Sequence, residues 1–141
     1  MEGPTSVKLS TIFLSAGAYS EIKLVQSGGG AKTPGNAFHL TCMVSGFSVT
    51  DYGVNWLHQP TKKALQWMGV HWAGGGIVYN SALRSRILIT REPSKNEVYL
   101  QVNDASEADS GTYYCAMRYG TGTVAQHNMS AAQKAPTLLL L

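Results

Sequence analysis

Few side chains in this sequence could do covalent or acid–base chemistry, and those few lie far apart. The cysteines are Cys42 and Cys115, 73 positions apart. A pair at that spacing offers neither a Cys-x-x-Cys redox site nor a four-ligand zinc site. Two possibilities remain: a disulfide, which needs an oxidising compartment, or two buried free thiols. His39, His58, His71 and His127 have no i, i+4 partner and no acid in ligand spacing, so they read as single exposed or half-buried residues rather than metal ligands. No Ser-His-Asp set is suggested by order or spacing. Gly74-Gly75-Gly76 lacks the strand-to-helix context of a phosphate cradle and reads as a turn. No catalytic, cofactor-binding or metal-binding residue is expected, no enzyme activity follows, and binding is the function class left open.

The totals narrow the partners. Length 141 suits one domain with appendages. Charged residues are 13% of the chain, about half the usual share of roughly 25%. A net charge of +3 is too mild to argue for nucleic acid, and Lys62-Lys63 reads as a solvated turn rather than a phosphate patch. No apolar run approaches the roughly 20 residues that span a bilayer, and Leu138 to Leu141 is far too short. Any membrane anchor would lie outside this chain.

The elements that must carry a binding site are strands. Short apolar runs alternate with turn clusters at intervals of about ten residues, and no segment shows helical periodicity. The runs are Ile22–Val25, Phe38–Val44, Val54–Leu57, Leu65–Val70, Arg86–Thr90, Val98–Val102 and Thr112–Met117, with Glu92–Asn96 as a turn between two of them. Within Phe38–Val44 the residues Phe38, Leu40, Cys42 and Val44 fall on one face, which puts Cys42 toward the core.

Trp56 follows the first cysteine, and Asp109-Ser110-Gly111-Thr112-Tyr113-Tyr114 leads into the second. With Glu21–Gly30 (EIKLVQSGGG), Leu40–Thr50, Leu65–Val70 (LQWMGV), Tyr79–Arg86 (YNSALRSR) and Asp109–Ala116 (DSGTYYCA), this pattern resembles an antibody heavy-chain variable domain over residues 21–124. Tyr119-Gly120-Thr121-Gly122-Thr123 resembles that family's joining motif. The resemblance implies an all-β fold, an immunoglobulin V-type two-sheet Greek-key sandwich. It implies a Cys42–Cys115 disulfide with Trp56 packed on it, a Tyr113 hydroxyl bonded back to the backbone, and an Arg86–Asp109 ion pair closing the bottom of the sandwich. Closing a loop of this length is worth about 4 kcal/mol in the chain-entropy account.

The resemblance also assigns surfaces. The first hypervariable loop covers Gly46 to Asn55, with Asp51, Tyr52 and Asn55 toward its tip. The second covers Val70 to Tyr79, with His71, Trp72 and Tyr79 beside the glycine turn, although Tyr79 could instead prop its loop. Met117 and Arg118 represent the third. If Tyr119 is the joining aromatic, only Ala116, Met117 and Arg118 separate it from Cys115. Either the site is flat and carried by the first two loops, or that assignment of Tyr119 is wrong. Tyrosine and tryptophan suit such a surface, since they offer contact area for little lost rotamer freedom. A light-chain interface maps onto Leu57, Gln59, Leu65, Trp67 and Tyr119, with Leu57 open to a core role. Departures from the family are Tyr119 for Trp, His58 for Arg, and Lys62, Ala64 and Gln66 for Gly, Gly and Glu.

Residues 1–20 read as a signal peptide, with Lys8 before an apolar stretch and Ala18-Tyr19-Ser20 at the cut. Residues 21–128 form the V-type domain. Residues 129–141 resemble an elbow and a truncated constant-domain start, whose apolar end has no evident partner. Asn128-Met129-Ser130 is a glycosylation sequon placed where transfer would be hindered. The expected function is antigen binding with an immunoglobulin light chain, secreted or at the cell surface, the antigen being unreadable. The alternatives are a T-cell-receptor-like or other cell-surface V-type receptor, and a variable-domain variant that keeps only the frame.

Overall fold

Alternation at Phe38–Val44 is realised in a strand whose burial switches at nearly every residue, Phe38, Leu40, Cys42 and Val44 facing in. The computed structural model describes residues 22–118, and residues 133–140 by their backbone. The strands are β1 (Lys23–Ser27), β2 (Gly30–Lys32), β3 (Phe38–Ser45), β4 (Gly53–Pro60), β5 (Gln66–His71), β6 (Ile77–Tyr79), β7 (Ile87–Glu92), β8 (Glu97–Val102), β9 (Gly111–Arg118) and β10 (Gln133–Leu140). Short 3-10 turns lie at Pro93–Lys95 and Glu107–Asp109. One sheet has the order β1-β3-β8-β7 and the other β2-β10-β9-β4-β5-β6. All neighbours are antiparallel except β2 and β10. The expected two-sheet sandwich is what forms.

The chain changes sheets between β1 and β2 at Gly28, which holds φ +103° with a Cβ position 2.6 Å from the His39 carbonyl oxygen. Any other residue would combine strain with a backbone clash. Gly111, at φ +136°, is tighter still: a Cβ would run into the Gln59 carbonyl and sit 2.8 Å from Pro60 Cα.

The core lies between the sheets. The disulfide joins Cys42 on β3 to Cys115 on β9 with Cα atoms 6.3 Å apart. Trp56, Leu40, Leu100, Ile89 and Tyr113 are fully buried around it. Tyr113 meets Phe38 edge-on at 6.0 Å between ring centroids, and its hydroxyl donates to the Asp109 carbonyl at 2.6 Å. Burial pushes the Tyr113 phenol far above its ordinary pKa.

Arg86 and Asp109 pair as expected, with Nη2 and Nη1 donating to the two carboxylate oxygens at 2.7 and 3.1 Å. Arg86 also donates to the carbonyls of Asn103 and Asp104, and the Asp109 carboxylate accepts the Ser106 backbone N–H at 2.9 Å. The bond to Asp109 raises the Arg86 pKa above its already high value. His58, where the family resemblance expects Arg, makes a different contact. It is buried, lies flat on Tyr113 at 4.1 Å between centroids, and bonds the Ser110 carbonyl through Nε2 at 3.1 Å.

One expectation about the end of the chain is corrected. The terminal apolar run was expected to find no partner within the chain. Instead β10 pairs with β9 from Gln133↔Cys115 to Leu138↔Gly111, and with β2 from Leu138↔Gly30 to Leu140↔Lys32. Without it, β9 would leave a row of backbone donors and acceptors unpaired. The register shifts between Lys134 and Thr137, around Pro136, which has no N–H to contribute. β9 ends at Arg118 and β10 begins at Gln133. Tyr119, the Gly120–Thr123 motif, Asn128 and residues 1–20 lie outside the described residues.

Two tests follow from the base of the sandwich. Asp109→Ala leaves Arg86 and the Ser106 N–H without their acceptor, and it should cost about 3 kcal/mol, read as a lower midpoint in urea unfolding. An unchanged midpoint would show that the pair carries no stability. Burial lowers the His58 pKa below the usual 6.5, outweighing the opposing effects of the Ser110 bond and Asp109. The unfolded chain then takes up the proton first, so stability is full above about pH 6.5 and falls as pH drops through the folded-state value. His58→Phe, which keeps the stack on Tyr113, should flatten that acid loss in unfolding curves across the same range.

Candidate functional site

The loops between β3 and β4 and between β5 and β6 lie beside the end of β9 at one end of the sandwich, and both loops are fastened from below. In the first, Val49 is buried in the core and Phe47 meets Tyr52 edge-on at 5.8 Å. Asn96, at φ 56°, holds this loop from the β7–β8 turn. Its Nδ2 donates to the carbonyls of Val44 and Phe47 at 2.8 and 2.7 Å, and its Oδ1 accepts the Val49 N–H at 2.9 Å. Asn tolerates that left-handed backbone better than most residues.

The second loop is a tight turn, with Trp72 N–H donating to the Gly76 carbonyl at 2.8 Å and Gly75 N–H to Trp72 at 3.0 Å. Arg91 on β7 binds both loops at once. Its Nη1 donates to Val49 O at 2.8 Å, Ala73 O at 3.0 Å and Trp72 O at 3.3 Å. The third element enters through Arg118, opposite Gly53, whose guanidinium sits 5.1 Å from the Trp72 ring centroid. A cation over an indole face at that distance is attractive by about 0.5–1 kcal/mol where exposed. Asp51 and Trp72 are exposed, Trp72 at 37%. Tyr52 and Arg118 are half-buried beside them.

Other expected contact residues lie deeper. His71 is 6% exposed, with Nδ1–H donating to the Trp72 carbonyl at 3.2 Å. Met117 is 2% exposed and belongs to the core, on the same strand face as Tyr113 and Cys115. These two support the loops rather than present themselves. Tyr79 props its loop: its hydroxyl accepts the Ile89 N–H at 3.0 Å. Asn55 accepts the Trp67 indole N–H at 2.9 Å, which links the loop end to the sheet face.

That face, the outer side of β4, β5 and β9, carries Leu57, Gln59, Leu65 and Trp67. Leu57 stands opposite both Trp67 and Tyr114. Leu65 is 43% exposed, and Leu57, Trp67 and Tyr114 are half-buried. Asn80 fixes the edge by donating to the Trp67 carbonyl at 2.8 Å. Tyr119, the fifth residue expected here, is outside the described residues. The turn below uses Lys62 at φ 61°, where the resemblance expects the more permissive glycine.

Three contributors were missed from sequence: Arg91, Asn96 and Tyr114. Tyr114 was within reach, because alternation through Tyr113 and Cys115 places it outward. No group of three or more His, Cys, Asp or Glu among the described residues could hold a metal. No helix among them is long and apolar enough to cross a membrane.

Comparison with known proteins points one way. The chain matches the family described as Immunoglobulin V-set domain over residues 31–131. It is 46% identical over 97 residues to the mouse (Mus musculus) protein named Ig heavy chain V region MOPC 141, covering 69% of this chain and 67% of that one. It is 38% identical over 111 residues to the Xenopus laevis Ig heavy chain V region XIG14, covering 79% of this chain and 82% of that one.

Arg91→Ala would leave three loop carbonyls without their cationic donor. The domain should lose about 2 kcal/mol, and the amides of Trp72 and Gly75 should exchange with solvent faster than those of β3 and β8. Loop exchange equal to wild type would assign the tether elsewhere.

Proposed function

The chain belongs to the immunoglobulin V-set family as a heavy-chain variable domain, and from that premise we propose that it binds antigen, paired with a light chain. Antigen would be met by Asp51, Tyr52, Trp72 and Arg118 at the loop end. The light chain would cover Leu57, Gln59, Leu65, Trp67 and Tyr114. The setting is humoral immunity, on a secreted or cell-surface antibody, and no catalytic step is involved.

The observation that carries this reading is the meeting of the β3–β4 loop, the β5–β6 loop and the end of β9 at one end, where Arg91 holds both loops by their backbone carbonyls. Side chains at the tips are then left to meet a ligand, on a base that does not move with them. Support for pairing comes from the apolar outer face, since exposed Leu and Trp on a sheet favour a covering partner. A rigid Trp with an adjacent Arg is the composition that interface hot spots favour.

Co-expression with a panel of light chains tests the reading. A stable non-covalent pair should co-purify, since both cysteines of this chain are in its internal bridge. Leu65→Glu should weaken pairing by about tenfold or more through a buried charge, while the isolated domain's stability stays within about 0.5 kcal/mol. A folded monomer that pairs with none of the panel would sink the proposal.

A further inference from the structure

The loop end carries positive charge that its own residues do not neutralise. Gly53 and Arg118 face each other across β4 and β9, and Trp72 follows directly on β5. A Cβ at Gly53 would lie 3.3 Å from Arg118 Cβ, 3.5 Å from Trp72 Cα and 3.1 Å from the His71 carbonyl oxygen. The missing side chain leaves room for Arg118 to lay its guanidinium over the Trp72 ring, 5.1 Å from the centroid. Stacking uses a face of the cation and none of its N–H donors, which point outward in its plane. Among the described residues Arg118 finds no acceptor. Its Nε is buried without a partner, and neither Nη makes a hydrogen bond or ion pair.

Two other arginines show the contrast. Arg86 meets Asp109 bidentately, and Arg91 donates to three backbone carbonyls. Those carbonyls satisfy the donors of Arg91 but leave its charge standing. Acids are few at this end. Residues 70–79 include none, and residues 46–55 include Asp51 alone, which is exposed and pairs with neither arginine. Glu92 accepts from Ser94 Oγ at 2.8 Å, and Glu97 from the Tyr99 hydroxyl at 2.6 Å. No Asp or Glu follows Asp109 in the sequence, so the stretch after Arg118 brings it no acidic side chain. Two guanidinium cations and an exposed indole thus stand against one unpaired carboxylate.

We propose that the loop end selects an anionic antigen, one that presents a carboxylate or phosphate to the two Nη groups of Arg118 and lays a flat apolar group beside it on Trp72. A pair of anionic oxygens matches the two parallel N–H bonds that the end of a guanidinium offers. Such charge-assisted bonds are stronger than those between neutral groups. A stacked guanidinium is already held in place, so less freedom is lost when the anion docks. Arg91 adds its charge from beneath the loops. Asp51 opposes the anion from the first loop, and its single charge is outnumbered. That the anion belongs to an antigen rests on the binding function proposed above, whereas the capacity of Arg118 and Trp72 to take it does not.

The test is an NMR titration of the full chain, without light chain or antigen, using phenylacetate, phenyl phosphate and benzylamine as probes. The Arg118 Nε–H and Trp72 indole N–H signals should move together and saturably with one or both anions, and should not respond to benzylamine. Phenylacetate against phenyl phosphate tells which oxyanion Arg118 prefers. Arg118→Gln should weaken anion binding on the order of tenfold or more, the loss expected of a hydrogen bond to a charged group. Four results would each overturn the proposal: no response to either anion, benzylamine binding as tight as theirs, undiminished binding in Arg118→Gln, or shifts at the exposed Lys62 and Lys63 amides as large as those at Trp72. If Arg118→Gln does not fold, the contrast between the anions and benzylamine in wild type decides. A chain that takes the anions yet pairs with no light chain keeps the anion site and loses the antigen reading. One that pairs but ignores the anions loses the anion site alone.

Discussion

Everything in this domain is referred to one covalent constraint, the Cys42–Cys115 bridge between β3 and β9. It sets the distance between two sheets that share few backbone hydrogen bonds, and it does so at their centre. In the chain-entropy account a loop of this length is worth about 4 kcal/mol, comparable to much of the net stability of a small domain. The residues around it are arranged accordingly. Trp56 stands opposite Cys115 across β4 and β9, and Leu40 and Leu100 face each other across β3 and β8. A sandwich pinned at its centre can leave both ends to specialise.

The two ends are built from opposite materials. The base is closed by charge: Arg86 and Asp109 meet bidentately, and Tyr113 ties the Asp109 carbonyl into the core. His58 replaces a long cation with a flat ring stacked on Tyr113. That contact keeps packing area but makes the base sensitive to acid, because a buried imidazole stays neutral only while the proton is scarce. The loop end is closed by neutral carbonyls held from outside the loops, by Arg91 and Asn96.

Most of the frame was legible because its signals are local or come in fixed parities. The alternation at Phe38–Val44 gave a strand and its inward face, and the Cys, Trp and Tyr positions gave the pairing of sheets. Parity also held unused information: Tyr113, Cys115 and Met117 share a face, so Met117 is core and Tyr114 outward. His71 was harder. Met68, Gly69, Val70 and His71 are all buried, because the register shift between Trp56 and Leu57 and the overlying loop break the alternation. Arg91 and Asn96 were not legible at all. Their partners are carbonyls tens of positions away, and a backbone carbonyl leaves no mark in a sequence. The last strand was misjudged for a related reason. β10 is chosen by the free edge of β9, and that edge is a property of the fold rather than of residues 133–140.

Fastening loops by their backbones has a consequence for recognition. Had the loops been held by their own side chains, those side chains would be committed to the scaffold and the sequence of the site could not vary without loss of its shape. Here the anchors Arg91 and Asn96 lie outside the loops and grip atoms that every residue possesses. Asp51 and Trp72 therefore remain exposed on a base already ordered, and less conformational entropy is lost when a ligand docks. Three loop residues do reach back with their own side chains: Asn55 to the Trp67 indole, Tyr79 to the Ile89 N–H, and His71 to the carbonyl that Arg91 also holds. Those three positions are the ones where a change of residue alters the frame as well as the site.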